Sequence, residues 1–415
     1  MKSLFTSLLF LVLHSAVGQV DSLQSYYQQS IKAYESQDYN KFLDYSILLN
    51  KIRPNHPTLS YNLAAAYALA DQPEAAVQAL RRHLGMNASP AYLEDDDFVG
   101  LRSLNEFKEL SSYMERLNST IENSTTIIRH SQKEHHFESI TYDPTTSTYF
   151  FGSVQSRKIF RSKDGEITEF FSNKEIFGVM GLQVDHKRNI LWACSAALPE
   201  INGYQDSLQN TSTVFAIDLG TNVLLKTYRV KDAILGDIIV DKQGNAIASD
   251  SYQNKLYRFS LSEFEILMDL SDVAHNLQGL AIHKNSIYIS DYLSGIYHIN
   301  TRTNELTKIN NHGFYSDKGI DGLLYHKGSM IAFQIGTKPR RTITIQLKKN
   351  EVAGSTFIDQ NLGFEGEATQ GVIVDDELVF IGNSAWNAYE KGIYNPELAE
   401  DLNVRSVQLI NFLIE

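Results

Sequence analysis

Six short apolar runs in the second part of the chain begin in nearly the same way. They are Ser139-Ile140-Thr141-Tyr142-Asp143, Gly181-Leu182-Gln183-Val184-Asp185, Asp237-Ile238-Ile239-Val240-Asp241, Gly279-Leu280-Ala281-Ile282-His283, Gly322-Leu323-Leu324-Tyr325-His326 and Gly371-Val372-Ile373-Val374-Asp375. The residue before each start forms a column: Glu138, Met180, Gly236, Gln278, Asp321 and Gln370. Four of these carry side-chain oxygen. Oxygen ligands converging on one point suit a hard cation, Ca²⁺ before Mg²⁺ or Mn²⁺. Glu138 and Asp321 would supply the charge, and amide oxygens and water the rest of the shell. The same ring without a cation would hydrate an open channel, and both readings stand at this point. His275 and His312 fall in loops leading to the same end, where either an exposed imidazole or a base reaching a bound ligand is consistent with the spacing. Leu198–Thr211 is a long connection on that face, placed to act as a lid. Asp250 and Asp291 each follow a strand and a serine, a position where Asp braces a turn through its backbone. No phosphate-binding loop, G-x-S-x-G, H-E-x-x-H or dinucleotide fingerprint is present.

The elements that must position this column are short strands. The starts lie 42, 56, 42, 43 and 49 residues apart. Each is followed by a turn and a second strand, and most by a third and a fourth, as in Tyr149–Gly152, Lys158–Arg161 and Thr168–Phe171. Periods in the forties with four strands each predict a β-propeller of six blades over 123–415. The last blade takes its third strand from roughly 404–412 and borrows its fourth from Thr125–Arg129, which closes the ring and removes the open sheet edges. In such a meander the first strand is innermost, so the column rings the mouth of the central channel.

Residues 20–118 read as helical. Tyr26, Ala33 and Phe42, then Leu63, Ala64 and Tyr67, then Ala76, Val77 and Leu80 recur at helical spacing, with Pro54, Pro57 and Pro73 at the breaks. Tyr26 and Ser60, like Ala33 and Tyr67, are 34 residues apart, the length of a helix-turn-helix repeat. A helical repeat unit of this size serves either as a groove for a protein or peptide partner or as a structural prop. Lys2, the apolar run Leu4–Val12 and the small residues around Ala16-Val17-Gly18 read as a secretory leader over 1–18, which predicts a secreted or periplasmic protein. No later stretch approaches the roughly 18 apolar residues of a membrane span. The formal charge of −12 argues against a nucleic-acid partner. The single cysteine, Cys194, excludes an intrachain disulfide framework and reads as an inert core thiol.

Asn62-Leu63-Ala64-x-x-Tyr67 and Ala76 resemble the signature of the tetratricopeptide repeat. The propeller resembles the senescence marker protein, gluconolactonase and luciferin-regenerating enzyme family. Phe137-Glu138-Ser139 stands where that family opens its first blade, Gln278-Gly279-Leu280 matches its Asn-Gly-Leu motif, and Asp321-Gly322-Leu323 its Asp-Gly-Met motif. The resemblance implies a divalent metal, Ca²⁺ with Mn²⁺, Mg²⁺ or Zn²⁺ as alternatives, held by Glu138, Gln278 and Asp321, with Asp321 as catalytic acid/base. Gly236 holds the place of a further family Asn, with Asp237 beside it. Asp237, Gln370, His275 and His312 are then the substrate-binding candidates. The function implied is an exported, metal-dependent hydrolase of a lactone or similar small ester, acting on a small molecule at the propeller mouth. The two Asn positions depart from the family pattern, to Gln and Gly, and the alternative is a non-catalytic binding or assembly protein.

Overall fold

A computed structural model describes residues 17–131 and 133–412. The leader read at 1–18 lies outside the described residues apart from Val17 and Gly18, which open the first helix. The described residues fall into two compact units, one within 17–83 and 91–109, the other within 84–90 and 110–412. The division differs from the boundary expected near 118, because the last turn of the helix Pro73–Met86 and most of the helix Asn105–Asn118 belong to the second unit.

The first unit is built from helices Val17–Glu35, Tyr39–Ile52, Pro57–Leu69 and the start of Pro73–Met86. The second and fourth begin 34 residues apart, as the repeat requires. Asp38 caps the second helix, its carboxylate accepting from Lys41 N at 3.3 Å. Pro57 opens the third, where a missing N–H costs no hydrogen bond. Phe42, Leu49, Leu59, Ala64 and Ala76 are buried.

The second unit is a six-bladed β-propeller. Its antiparallel sheets begin with strands Phe137–Asp143, Gly178–Asp185, Leu235–Val240, Leu277–His283, Ile320–His326 and Gly371–Val374. The sixth sheet runs Gly371–Val374, Glu377–Ile381, Leu402–Gln408 and then Thr125–His130. The closing strand is therefore the one expected from sequence, and its third strand starts two residues earlier than read. Ile121–Glu122 adds a fifth strand to blade five. Six apolar clusters fill the six gaps between neighbouring blades. The one that closes the ring sets Phe137, Ile140 and Phe151 of blade one against Val379, Ile381 and Val404 of blade six.

Adjacent first strands approach closely. A Cβ on Gly279 would lie 2.5 Å from Asp321 O, and one on Gly322 would lie 2.0 Å from Thr369 O. The recurring glycine at the second position of the motif thus has a steric cause: the inner strands pack backbone to backbone. Blade three carries Asp237 there instead. Its carboxylate fills the gap and accepts from Leu280 N of the neighbouring strand at 2.7 Å.

Candidate functional site

The column read from sequence is a column of bulges. In the first five blades the pairing of first and second strand slips at the start, between Phe137 and Ser139, Val179 and Gly181, Leu235 and Asp237, Leu277 and Leu280, and Ile320 and Gly322. The residues passed over include Glu138, Met180, Gly236, Gln278 and Asp321. A bulge turns its extra residue out of the alternating pattern of the sheet, and here it turns it toward the channel. In blade six, Gln370 stands just before the strand Gly371–Val374. All six line one cavity of about 280 Å³, together with Asp237, Tyr292, Ile335, Glu367 and Trp386.

Four carboxylates thus share an enclosed space: Glu138, Asp237, Asp321 and Glu367. Arg340, outside this lining, pairs with Glu367 at 3.3 Å. Burial and the neighbouring charges of Glu138, Glu367 and Asp237 hold the Asp321 carboxyl well above the usual carboxylate range. Burial pushes Asp237 up to about 7, against the pull of the Leu280 and Ile238 amides. Glu367 is also raised, by burial first, with Arg340 opposing. Among the described residues no three His, Cys, Asp or Glu side chains are grouped to hold one metal ion. A cation here would therefore draw on two carboxylates and on amide oxygens.

The amides are arranged unequally. Gln278 Nε2 donates to Asn276 Oδ1 at 2.5 Å, which leaves Gln278 Oε1 facing the Gly236 side of the cavity. Gln370 Nε2 reaches across the channel to Met180 O at 2.9 Å and Gly236 O at 3.4 Å. It is a crosspiece from blade six to blades two and three. Below it lies a second chamber of about 210 Å³, walled by Ile140, Leu182, Ile239 and Leu323 among others, and sharing Asp237 and Gln370 with the mouth.

Glu138 is held by a chain of side chains that the sequence did not mark as functional. Trp386 Nε1 donates to Glu138 Oε2 at 2.9 Å, and Ser384 Oγ donates to the same oxygen. His136 Nε2 lies 2.8 Å from Ser384 Oγ, and its Nδ1 lies 2.8 Å from the Tyr389 hydroxyl. With the serine proton given to the carboxylate, the order of donors through a neutral imidazole is fixed. Tyr389 donates to Nδ1, Nε2–H donates to Ser384, and Ser384 donates to Glu138. Burial raises the Tyr389 phenol, which keeps it a donor. Ser384 is buried and does not line the cavity, so it orients Glu138 and is not a nucleophile. Its backbone pairs with that of Glu367, which sets both segments at the mouth. The connection 198–210 packs Leu198, Tyr204 and Leu208 into a cluster that includes Met180 and Trp386, so it covers the rim as its length suggested.

The remaining expected residues lie elsewhere. His275 is exposed and its side chain is not among the cavity's lining; its backbone N–H donates to Asp291 at 2.5 Å. His312 is exposed, 3.9 Å from Glu351, and also outside the lining. A histidine in a loop near the mouth face need not point inward, and both loops turn outward here. Asp250 and Asp291 are fully buried braces. Asp250 accepts from Ile234 N and Tyr252 N, and Asp291 from His275 N, Asn276 N and Ser294 N. Cys194 is buried, and burial pushes its thiol far up, which makes it inert. Trp386, Glu367 and Tyr292 were missed because they sit outside the repeated column. The available signal was position: Trp386 and Tyr292 follow the ends of second strands in blades six and four.

The sequence matches no known family profile and no curated protein. Solved structures resemble the fold. RRP9 WD40 repeats share 8% identity, with a TM-score of 0.50 over 70% of this chain and 99% of theirs. An oxidoreductase described as a glucose dehydrogenase, from Thermus thermophilus, shares 10% identity with a TM-score of 0.45, over 70% of this chain and 100% of that one. An inactive virginiamycin B lyase from Staphylococcus aureus, in a structure with quinupristin, shares 10% identity with a TM-score of 0.43, over 70% and 99%. At these identities the likeness concerns the propeller fold alone.

Proposed function

We propose that the propeller mouth takes a divalent cation, Ca²⁺ ahead of Mn²⁺, Mg²⁺ or Zn²⁺, and hydrolyses a lactone or similar small ester beside it. The observation that carries this reading is the imbalance of charge: four carboxylates line one cavity, and among the described residues no Lys or Arg is part of its lining. The donor set fits a hard cation, since the groups free to bind are oxygens: the second oxygen of Glu138, the carboxylate of Asp321 and Oε1 of Gln278. Such an ion polarises a carbonyl and favours deprotonation of water. The chain's own part is to hold and move a proton. Asp321, raised by burial and its acidic neighbours, keeps its proton to higher pH than an ordinary carboxyl. A nearby positive charge lowers it into the range where it accepts a proton from attacking water. Ser384 and Trp386 fix the rotamer of Glu138. Asp237 and the Gln370 crosspiece form the floor, while Trp386 and Tyr292 wall the substrate and limit water. The leader read at the N-terminus supports action outside the cytoplasm. No helix among the described residues is long and apolar enough to cross a membrane.

A panel of lactones and small esters, assayed with each cation and with chelator, tests the reading. Turnover that needs the cation and is lost in Asp321→Ala supports it. Turnover indifferent to chelation, or retained in Asp321→Ala, rejects it. The second reading is a non-catalytic ligand-binding or assembly protein. It is favoured by the polar atoms of Asp237 and Gln370 that are spent on bracing backbone. Saturable ligand binding without turnover would select it.

A further inference from the structure

Beside the mouth lies a larger groove of about 540 Å³. It shares Tyr292, Ile335 and Glu367 with the mouth cavity, so the two adjoin along these side chains. Unlike the mouth, it carries cations. Lys318, Lys338, Arg340 and Arg341 line it, with Asp359, Glu365 and Glu367. Arg340 is neutralised by Glu367 at 3.3 Å. Asp359 is turned to Ser124 and to Asn123 N, and stands 3.9 Å from Arg405.

The other three cations have no carboxylate partner among the described residues. Lys318 Nζ donates to Gly336 O at 2.7 Å and stands 5.3 Å from the Tyr292 ring centroid, which leaves two of its protons unused. Arg341 is buried, with bonds only to Thr337 Oγ1 at 3.2 Å and Gly85 O at 2.8 Å. The Lys338 side chain is exposed on a backbone fixed by Met86 O and Ala88 N. Burial first, and then the charge of Lys338, lower the Lys318 ammonium, so the two lysines are close enough to repel. A half-buried ammonium with an exposed lysine beside it, at the edge of an open groove, is stabilised by an anion between the two.

We infer that this groove is an oxyanion subsite: it seats a carboxylate or phosphate of the ligand between Lys318 and Lys338 while the rest of the ligand enters the acidic mouth. The inference rests on the mouth being the ligand site and adds its chemical class. The ligand is a small anion whose charged group is separate from its neutral reacting end, as in a lactone or ester that bears a further carboxylate or phosphate.

Calorimetric titration of the full chain with D-gluconate and with inorganic phosphate tests it. Both titrations are done in chelator, so the result does not depend on a cation at the mouth. The expected result is saturable binding of at least one probe that weakens with ionic strength. It should fall by about tenfold in Lys338→Gln, the loss of one charged contact. Lys338 is exposed, so this variant keeps the fold, and Lys318→Met should act in the same direction. Preference for gluconate assigns the carboxylate, and preference for phosphate assigns the phosphate. Binding should survive in Glu138→Gln/Asp321→Asn, which separates this proposal from that of the cation. Absence of saturable binding for both probes, or affinity unchanged in Lys338→Gln, overturns it.

Discussion

Glu138 and Asp321 are both carboxylates at bulges of inner strands, yet their surroundings differ. One oxygen of Glu138 accepts from Ser384 and Trp386, whereas the Asp321 carboxyl is set among acidic neighbours. On the proposed reading, groups set apart in this way would divide labour, one as anchor and one as proton carrier. Ser384→Ala would leave His136 Nε2 and Glu138 Oε2 each short of a partner in a buried place. The expected cost is about 1–3 kcal/mol of stability, read as a lower melting temperature, together with weaker cation binding. Trp386→Phe removes one donor and keeps a ring at the wall. It should weaken cation binding with a smaller loss of stability, and an unchanged cation affinity would show that the indole only fills space. The column itself was legible from sequence because six repeats aligned it. The chain from Tyr389 to Glu138 was not, because His136, Ser384 and Tyr389 come from segments 253 residues apart at their extremes and obey no common spacing.

The strand is the element that carries the site, and two features of the inner strands make the site possible. The first is the bulge, which aims one side chain per blade into the channel. The second is the glycine that follows it in most blades. Gly322→Ala would put a Cβ 2.0 Å from Thr369 O and 2.9 Å from the Phe333 ring. Backbone cannot yield as a flexible side chain does, so a cost of at least about 2 kcal/mol is expected, measured by denaturant unfolding. Gly165, with nothing near its Cβ position, sits at a turn with φ +87, so Gly165→Ala reports backbone strain alone and should cost less. Closure is the other test at this scale. Deleting 119–130 removes the outer strand of blade six and its pairing with Leu402–Gln408. Exposed sheet edges then favour association, so the truncated chain should elute as soluble aggregate or fail to fold. Strand number and closure were readable because turns and alternation repeat locally. The 389–394 hairpin and the short strand Ile121–Glu122 were not, since two-residue strands leave no periodic signal.

At the scale of the whole molecule, the mouth makes stability depend on protons and, on the proposed reading, on cations together with them. In the folded chain Asp237 titrates near 7 and Asp321 well above its ordinary value, against about 4 for an unfolded aspartate. Between those values the native state binds more protons than the unfolded state. Stability conferred by these groups is therefore greatest at low pH and falls as pH rises through the window from about 4 to about 7. The net charge of −12 at pH 7 adds general repulsion in the same direction, so the slope alone does not isolate the site. A comparison of variants does. Cations bind carboxylates and displace their protons, so binding should tighten as pH rises and release protons into unbuffered solution. With millimolar Ca²⁺ the melting temperature should rise, by more at about pH 7.5 than at about pH 5, because only the folded mouth binds the ion. In chelator, Glu138→Gln/Asp321→Asn should lose stability less steeply than the wild type as pH rises, since it removes the titrating Asp321 carboxyl and a charge that raises it, and should gain almost nothing from Ca²⁺. A wild-type melting temperature indifferent to Ca²⁺, Mn²⁺, Mg²⁺ and Zn²⁺ at every pH would leave the mouth as a proton-filled polar channel. The carboxylates would then be neutralised by protonation instead of by a cation, and the binding scaffold would become the better reading of the fold.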